Sequence, residues 1–599
     1  MGAGRRVAVL GGGMAGVTAA WELSRPGWED RFESITLYQR GWMLGGKGAS
    51  TRDDQGRILE HGLHVWLGYY DNAFRVLREC YEELDRARTD PTCPVRTWQD
   101  AFLPAPEVGV FEHGPDGVTD VWLARFGTNE LLPGGPAPTE PDLGELVRRG
   151  AGLAADLLRS ARQRPNIRVD VAVDLVTTVL RGMAADGLLR PGGGFASVDH
   201  HDFRDWLRRH GAAEATIDGG LVRGMYDLVF GYRDADHTRP AFSAGLGVFL
   251  AVRMFLDYKG AIFWKMTAGM GDVVFAPLHQ ALRRRGVGIR YFHRLEGLRL
   301  SPDGARLAAV DLVRQAPAEV AEEYEPLERF GGLPCFPWRP RLGPAAPSDR
   351  EPTEHDPLTL DGEAVSLVCG VDVDDVVLAV GLGALPIVAA DIVRAHPRWQ
   401  AMIEHVRTVP TRSAQLWLRD DEPSLGWAHP GATVSGLEAP FDTVASMTHL
   451  LPAEGWSDAG ADADADVPRS LAYLCSALPG GATDLASTTD EFLGEWSKAL
   501  WPAGGPVGLE DAGVVAHHVS ANTDPSDGYV QSLPGSGAHR LRADGSGVEG
   551  LVLAGDWIDC GLNAGCIEAA AIAGVQACAA VEGRPLSERV LGPLTWDRA

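Results

Sequence analysis

The stretch VAVLGGGMAG, residues 7–16, decides how this chain folds. A short run of apolar and β-branched residues leads directly into three glycines, and an alanine-rich segment follows that ends before Pro26. The next run, SITLY at residues 34–38, again has the composition of a strand. A strand, a glycine turn, a helix and a second strand in this order predict a βαβ unit.

The glycines of this stretch have the spacing of a dinucleotide-binding turn. Gly11, Gly13 and Gly16 fit the pattern G-x-G-x-x-G, with Met14 and Ala15 inside it. The first glycine permits a tight turn, the second lets the backbone approach a pyrophosphate, and the third lets helix and strand pack closely. The free N–H groups at the start of the helix favour the phosphates. We therefore expect a dinucleotide site here.

Polar and small residues follow the second strand. Gln39 and Arg40 stand where such sites usually place an acidic residue for the ribose, and Gln39 offers an uncharged carbonyl acceptor instead. Gly45 and Gly46 would let the chain pass close to a ligand, and Lys47 would bring a cation to phosphate or carbonyl oxygens. An ordinary loop with a solvated lysine is the competing interpretation.

A second glycine-rich segment lies near the other end of the chain, GLVLAGDWIDCGLNAGCIEAAAIAG at residues 550–574. It predicts a buried strand, a turn with Gly555 and Asp556, and a helix that begins near Ala564. An aspartate in such a turn can accept hydrogen bonds from cofactor hydroxyls, and the positive end of the helix would stabilise the negative charge of a reduced flavin. The alternative is an ordinary connection between a strand and a helix.

Four segments together carry a family resemblance. GGGMAG, LGGK, EHGLHVWLGYYDNAFRVL at residues 60–77 and LAGDWIDCGLNAGCIEAAAIAG resemble, in order and spacing, the FAD-dependent carotene desaturase and amine oxidase superfamily. Residues 60–77 are most similar to the plant-type phytoene and zeta-carotene desaturases and the squalene-associated desaturases. Residues 286–298 and 375–385 resemble the adenine-side strand and the return strand of that family.

The resemblance implies an α/β (α+β) fold, with a Rossmann-type FAD-binding domain that is discontinuous in sequence and a second, mixed sheet and helix domain for the substrate. A stretch rich in Pro, Glu and Arg would form a surface insertion. The expected boundaries are residues 1–95, 265–315, 364–400 and 540–599 for FAD, 96–264 and 401–539 for the substrate, and 316–363 for the insertion.

The same resemblance assigns contacts with FAD. Leu295 would meet the adenine by its main chain, and Asp556 would meet the ribityl and pyrophosphate region. Gln39 stands where the family usually has Glu, and Lys47 where it usually has Arg. The expected cofactor-binding residues are Gly11, Gly13, Met14, Ala15, Gly16, Gln39, Arg40, Gly45, Gly46, Lys47, Leu295, Gly555, Asp556, Asn563 and Ala564.

Three titratable residues, Glu60, His61 and His64, lie in the segment that by resemblance passes beside the flavin. Flavin desaturation requires a hydride to leave for the cofactor and a proton to leave from the neighbouring carbon. Histidine titrates near neutral pH, so His64 is our candidate for orienting the substrate or accepting the proton, with Glu60 beside it. A hydrogen-bonded structural histidine is the alternative.

Charge and composition argue against several classes of binding partner and against a membrane-spanning protein. The chain has 599 residues and a formal charge of -26, which opposes binding to nucleic acid and does not favour contact with an anionic membrane surface. Its eight cysteines form no C-x-x-C pair, which suggests reduced thiols in the cytoplasm. The apolar stretch 244–256 is interrupted by Arg253 and is shorter than the roughly 20 residues of a spanning helix, so we expect a buried helix and no transmembrane segment. The sequence leaves the oligomeric state open.

The adjacent histidines His200 and His201 suggest a metal site with Asp199 and Asp202. Neighbouring residues on a helix point in different directions and chelate poorly. Asp199 as a helix N-cap, with Asp202 three residues later, gives a simpler account. We expect no metal.

The expected function is that of an FAD-dependent dehydrogenase or desaturase acting on a largely apolar small molecule, such as a polyene or isoprenoid. The C-terminal AGDW and GLNAGCIEAA favour this interpretation. The main alternative is a flavin amine or amino-acid oxidase that attacks a C–N bond. A redox-neutral isomerase or cyclase and a flavin-bearing subunit of a larger complex remain further alternatives.

Overall fold

The stretch around the three glycines forms a βαβ unit in the computed structural model of the chain. The strand Arg5–Leu10 leads into the helix Met14–Leu23, and the strand Phe32–Tyr38 returns parallel to the first. The structure describes residues 4–113, 119–135, 142–163, 169–340, 362–427, 429–456, 467–480 and 484–592.

A five-stranded parallel sheet extends this unit with strands from distant parts of the chain. The stretch DVDDVVLAVG returns to the first strand as predicted, since Val7 to Leu10 pair in parallel with Asp375 to Leu378. In spatial order the strands are Gly288–Arg290, Phe32–Tyr38, Arg5–Leu10, Asp375–Leu378 and Leu551–Leu553. The parallel sheet is therefore discontinuous in sequence.

The first and last helices of this sheet layer, Met14–Leu23 and Ile567–Val581, pack directly on each other. Gly574 permits the close approach, because a Cβ atom there would lie 2.5 Å from the carbonyl oxygen of Ala15. The second helix begins at Ile567, three residues later than predicted, because Cys566 is extended and its sulfur accepts the N–H of Ala569.

A second, seven-stranded mixed sheet belongs to the other half of the molecule. One face packs on the helix Leu485–Leu500 to form a separate apolar core. In spatial order the strands are Val514–Asn522, Thr411–Leu418, Ser470–Ala477, Thr443–Ser446, Thr433–Ser435, Glu107–His113 and Thr119–Arg125.

Smaller sheets connect and cover these layers. The three-stranded sheets are His293–Leu300 with Leu307–Arg314 and Glu363–Val368, and Trp66–Leu67 with Phe263–Met266 and Phe102–Ala105. The two-stranded pairs are Ser50–Arg52 with Ile58–Glu60, Glu328–Phe330 with Leu333–Cys335, and Thr408–Val409 with Tyr529–Val530.

The remaining helices surround the sheets. In chain order they are Asp71–Leu84, Arg86–Thr89, Trp98–Ala101, Leu143–Gln163, Val169–Asp186, Phe203–Arg209, Glu214–Ile217, Gly220–Leu228, Ala244–Leu256, the π-helix Gly271–Phe275, Ala276–Arg284, Ala318–Glu323, Leu385–Val388, Ala390–Ala395 and Pro397–His405.

The expected surface insertion at residues 316–363 lies partly within the described chain. Its first part packs inward, because Phe336 is fully buried and its carbonyl oxygen accepts the N–H of Arg52. Residues 341–361 lie outside the described residues. The described part of the segment is thus integrated into the half of the molecule that contains the parallel sheet.

The apolar stretch 244–256 forms the expected buried helix, Ala244–Leu256, with every residue buried. Arg253 does not reach solvent and instead lies 2.7 Å from Asp257 and 3.3 Å from Asp71. In the part of the chain that the structure describes, no helix is long and apolar enough to cross a membrane.

Candidate nucleotide and substrate site

One cavity of about 450 Å³ receives residues from both ends of the chain and from the second domain. A volume of this order is typical of small-molecule sites. Most of the predicted cofactor-binding residues line it. They are Gly11, Gly13, Met14, Ala15, Gln39, Arg40, Gly45, Gly46, Lys47, Leu295, Gly555, Asp556 and Ala564.

The glycine turn has the geometry that its spacing predicts. Gly11 has a φ of 111°, and a Cβ at Gly16 would lie 1.9 Å from the carbonyl oxygen of Gly11, so Gly16 serves packing and does not line the cavity. A Cβ at Gly13 would meet no atom closer than the Gly45 carbonyl oxygen at 3.8 Å. A ligand can therefore approach the backbone at Gly13, where the helix begins without an acidic residue in its first turn.

Gln39 stabilises this turn from the second strand. Its side-chain carbonyl oxygen accepts the backbone N–H of Gly12 at 2.7 Å, and the side chain is 4% exposed. That acceptor is therefore already engaged within the protein.

Arg40 holds another wall of the cavity. Its guanidinium donates to the hydroxyl of Ser526 at 2.5 Å and to a carboxylate oxygen of Asp527 at 2.6 Å. Both partners also line the cavity. Sequence reasoning did not single out this segment, because nothing local shows that residues 525–527 meet the end of the second strand.

Lys47 and Asp556 meet across the cavity wall. Lys47 Nζ lies 2.6 Å from Asp556 Oδ2. The turn that carries Asp556 is held by a residue that the sequence did not reveal, the fully buried Arg540, which donates to the Asp556 carbonyl oxygen at 2.8 Å. Burial lowers the pKa of Arg540, an effect that the neighbouring acidic groups oppose.

Two other predicted cofactor residues occupy different environments. The main chain near Leu295 is irregular, since the pairing register between its strand and the next shifts after Leu295. Such a bulge interrupts the ladder beside the cavity. Asn563 does not line the cavity in this structure, yet its side-chain oxygen is buried without a hydrogen-bond partner.

The candidate catalytic pair is in direct contact. His64 Nδ1 lies 2.5 Å from Glu60 Oε2, and His64 Nε2 lies 3.3 Å from the carbonyl oxygen of Lys47. Burial lowers the pKa of His64, but the Glu60 carboxylate outweighs it and the net pKa is raised. Glu60 is 3% exposed and its other oxygen accepts the N–H of Met270 at 3.0 Å. His64 lines the cavity, and Glu60 stands behind it.

His61 also lines the cavity. Burial lowers its pKa, although Asp527 and Glu60 oppose the effect. The pKa values of two histidines three positions apart are therefore shifted in opposite directions. The contact with Glu60 outweighs burial at His64, whereas burial outweighs the acidic neighbours at His61.

The cavity continues into a chamber formed by the second domain. Most side chains there are apolar, a minority are polar, and the acidic residue Asp227 also lines the chamber. The apolar residues include Val108, Val110, Leu221, Met225, Phe230, Leu250, Met254, Phe255 and Phe263, and the polar ones include Thr411, Thr433, Ser435, Thr443 and Asn522.

The histidine pair at residues 200 and 201 does not belong to the cavity. The N-cap prediction for Asp199 is wrong. Asp202 caps the helix Phe203–Arg209 by accepting the N–H of Arg204 at 2.9 Å, and Asp199 instead accepts the hydroxyl of Ser243 at 2.5 Å. The reason is that residues 195–198 form a separate 3-10 turn before the helix.

One group of potential metal ligands was not predicted. Among the described residues, Asp227, His237 and Asp442 place ligand atoms within 4.8 Å of one another. Each oxygen of the two carboxylates already accepts a hydrogen bond from a hydroxyl or a backbone N–H. Burial and the neighbouring Asp442 raise the pKa of Asp227. The group therefore forms a hydrogen-bond network beside the cavity.

The fold is Rossmann-like, and the C-terminal segment lines the same cavity as the glycine turn. Residues 9–80 match the family described as an NAD(P)-binding Rossmann-like domain. The zeta-carotene desaturase of Zea mays is 40% identical over 74 residues, which cover 12% of each chain. That of Arabidopsis thaliana is 35% identical over 286 residues, which cover 47% of this chain and 42% of the relative. The matches thus span less than two thirds of either relative.

Solved structures share the whole fold. An oxidoreductase from Methanosarcina mazei has a TM-score of 0.53 at 11% identity, covering 95% of this chain and 98% of the other. A redesigned triple mutant of putrescine oxidase has a TM-score of 0.53 at 13% identity, covering 97% and 99%. At these identities the likeness concerns the fold. Together the comparisons confirm the resemblance to the FAD-dependent desaturase and amine oxidase superfamily.

Proposed function

We propose that this chain is an FAD-dependent oxidoreductase that removes a hydride and a proton from a largely apolar small molecule, such as a polyene or isoprenoid. The observation that carries the proposal is the continuity of one cavity, which runs from the glycine turn and Asp556 to the apolar chamber of the second domain. A cofactor at the first end and a substrate at the second would be in contact.

The residues at the first end fit FAD. Gly13 leaves open space where a pyrophosphate would approach, and the unopposed positive end of the first helix favours its charge. Lys47 and Asp556 would hold the phosphate and ribityl regions. When bound, FAD supplies the hydride-accepting atom.

The protein's own part is to position the substrate and exclude water. The apolar side chains of the chamber, Leu221, Met225 and Phe255 among them, would bury an extended hydrocarbon. His64, whose pKa is raised by Glu60, carries a proton at neutral pH more readily than a free histidine. We therefore assign His64 to positioning in its protonated form. The proton that leaves the substrate would go to His61, whose pKa burial lowers and which lines the same cavity.

An amine or amino-acid oxidase is the second candidate. The polar residues of the chamber, Thr411, Thr443 and Asn522 among them, could accept hydrogen bonds from an amine. The chamber is nevertheless mainly apolar, so the desaturase-like reaction is the better supported of the two.

Flavin analysis tests the cofactor. We expect the purified protein to be yellow and to release FAD on denaturation, identified by chromatography of the supernatant. Release of FMN, or of NADP alone, would contradict the proposal. Anaerobic mixing with isoprenoids should then bleach the flavin absorbance, and a failure with every apolar compound in a panel that includes polyenes would overturn the substrate class alone.

A further inference from the structure

A second cleft, of about 620 Å³, lies outside the main cavity. We propose that it binds a soluble anion of the phosphate class, independently of the nucleotide site. Three chain segments form the cleft, residues 233–239, 404–408 and 531–539. None of its lining residues lines the main cavity.

The sign of its charge is the first argument. The chain as a whole has 81 acidic and 55 basic residues, but the cleft is lined by three arginines and two histidines against Asp234 and Glu404. A concave, locally positive surface on an acidic protein concentrates field lines and attracts anions. The charge on this surface is thus opposite to that of the molecule.

The pairing of the arginines is the second argument. Arg239 lies 3.0 Å from Asp234 and is neutralised by it. Among the residues that the structure describes, Arg233 and Arg407 have no hydrogen bond or ion pair from their guanidinium groups. Two unpaired guanidinium groups in one cleft provide the planar donors that suit phosphate and carboxylate oxygens.

The histidines are the third argument. The rings of His405 and His539 stack at 3.9 Å between centroids. Burial lowers the pKa of His539 and His405 lowers it further, so the arginines supply the charge that is present at neutral pH. A stacked imidazole pair adds N–H donors without a permanent charge.

The backbone keeps the cleft in shape. Arg233 and Arg239 are held side by side, because the N–H of Arg233 donates to the carbonyl oxygen of Arg239 at 3.0 Å. Asp234 and Ala235 between them have φ angles of 56° and 58°, which non-glycine residues seldom adopt. On another wall, the buried Gln531 donates to the carbonyl oxygens of Phe230 and Tyr232, both at 2.7 Å.

The test uses full-length protein saturated with FAD, so that the nucleotide site is occupied in every sample. Inorganic phosphate and pyrophosphate are titrated by calorimetry at low salt. We expect the wild type to bind and the double variant Arg233→Gln/Arg407→Gln to bind roughly tenfold or more weakly. Arg306→Gln, an exposed arginine elsewhere, is the matched control and should change the affinity by less than about twofold.

Three results would overturn the proposal: no binding by the wild type, equal binding by the double variant, or an equal loss in the Arg306 control. Each single variant is measured as well, together with its melting temperature, so that a folding defect in the double variant is separated from a lost contact. Co-sedimentation with phosphatidylglycerol vesicles, against phosphatidylcholine vesicles, distinguishes a lipid headgroup from a free anion. Binding to the anionic vesicles without binding of free phosphate would also contradict a soluble ligand.

Discussion

Lys47 Nζ and Asp556 Oδ2 lie 2.6 Å apart although 509 residues separate them in the chain. Lys47 follows the glycine pair after the second strand, and Asp556 follows the last strand of the parallel sheet. The ion pair joins the two ends of the sequence at the wall of the cavity. Both segments must be in place before the site exists.

Removal of the acidic partner should empty the proposed cofactor site. Asp556→Ala deletes a charged acceptor, whose loss costs about 1.5 to 3 kcal/mol, or roughly 10- to 150-fold in affinity. We expect this variant to purify largely without flavin, as measured by the ratio of visible to ultraviolet absorbance. Asp391→Ala, at an exposed helix position, is the control. Full flavin occupancy in Asp556→Ala would show that this turn does not contact the cofactor.

Gln39 should have a smaller effect. Gln39→Ala removes one neutral hydrogen bond, to the N–H of Gly12, and such bonds contribute about 0.5 to 1.5 kcal/mol. FAD affinity, measured by fluorescence titration of the apoprotein, should therefore fall less than in Asp556→Ala. Gln39→Glu keeps the acceptor for Gly12 and serves as the matched variant. A larger loss in Gln39→Ala than in Asp556→Ala would reverse the ranking.

Local patterns were sufficient to predict the βαβ unit and the return of residues 375–378 to the sheet. In both cases the residues that form the strand are mostly apolar and β-branched, so their composition predicts a strand. The glycines that follow predict the turn. The start of the last helix was placed three residues early, because its boundary depends on the extended conformation and capping sulfur of Cys566. Alanine-rich composition alone does not mark where a helix begins.

Partnerships between distant segments could not be predicted from the sequence. Arg40 meets Asp527 although 487 residues separate them in the chain. The unpaired arginines of the second cleft, Arg233 and Arg407, are brought together in the same way. Neither residue lies in a basic run that would have drawn attention to it.

Helix packing offers a test of the fold. In Gly574→Ala the new Cβ would lie 2.5 Å from the Ala15 carbonyl oxygen, and overpacking of this kind costs about 1 to 3 kcal/mol. We expect a lower midpoint in urea and weaker FAD binding, because the first helix carries the glycine turn. Gly152→Ala is the matched control, a helical glycine with no atom near its Cβ position, and it should stabilise the protein by up to about 1 kcal/mol. Equal effects of the two changes would contradict the close packing.

The His64–Glu60 pair should make stability depend on pH. The folded pKa of His64 is raised, so its contribution is fully present below the unfolded value of about 6.5 and is lost as pH rises through the folded pKa. In Glu60→Gln the amide can donate to a neutral His64 while its oxygen still accepts the N–H of Met270. The stability difference between wild type and Glu60→Gln, from urea unfolding, should therefore shrink from pH 5.5 to pH 9. Histidine NMR should show a lower pKa for His64 in the variant.

His64→Gln provides the control for this titration. Replacing Glu60 in the His64→Gln background should produce no difference that varies with pH over this range. A constant stability difference between wild type and Glu60→Gln across this pH range would contradict the prediction. It would show that the pKa of His64 does not differ between the folded and unfolded states.

The pH dependence of flavin reduction separates the two candidate reactions. An amine oxidase must bind the neutral amine, so its rate of flavin reduction should rise toward the pKa of the substrate, near 10 for an alkylamine as for lysine. An apolar substrate has no such titration, and only protein groups such as His64 could impose one. Because Glu60 raises the pKa of His64, that transition should lie above the ordinary histidine value, with the protonated, positioning form lost at higher pH.

We expect anaerobic stopped-flow mixing with isoprenoids to bleach the flavin with a rate that falls as pH rises through this pKa, and simple amines and amino acids to leave the flavin oxidised. In Glu60→Gln the transition should move to lower pH, which assigns it to His64. Rapid bleaching by an amine, at a rate that climbs above neutral pH, would overturn the desaturase-like reaction and establish the amine oxidase in its place.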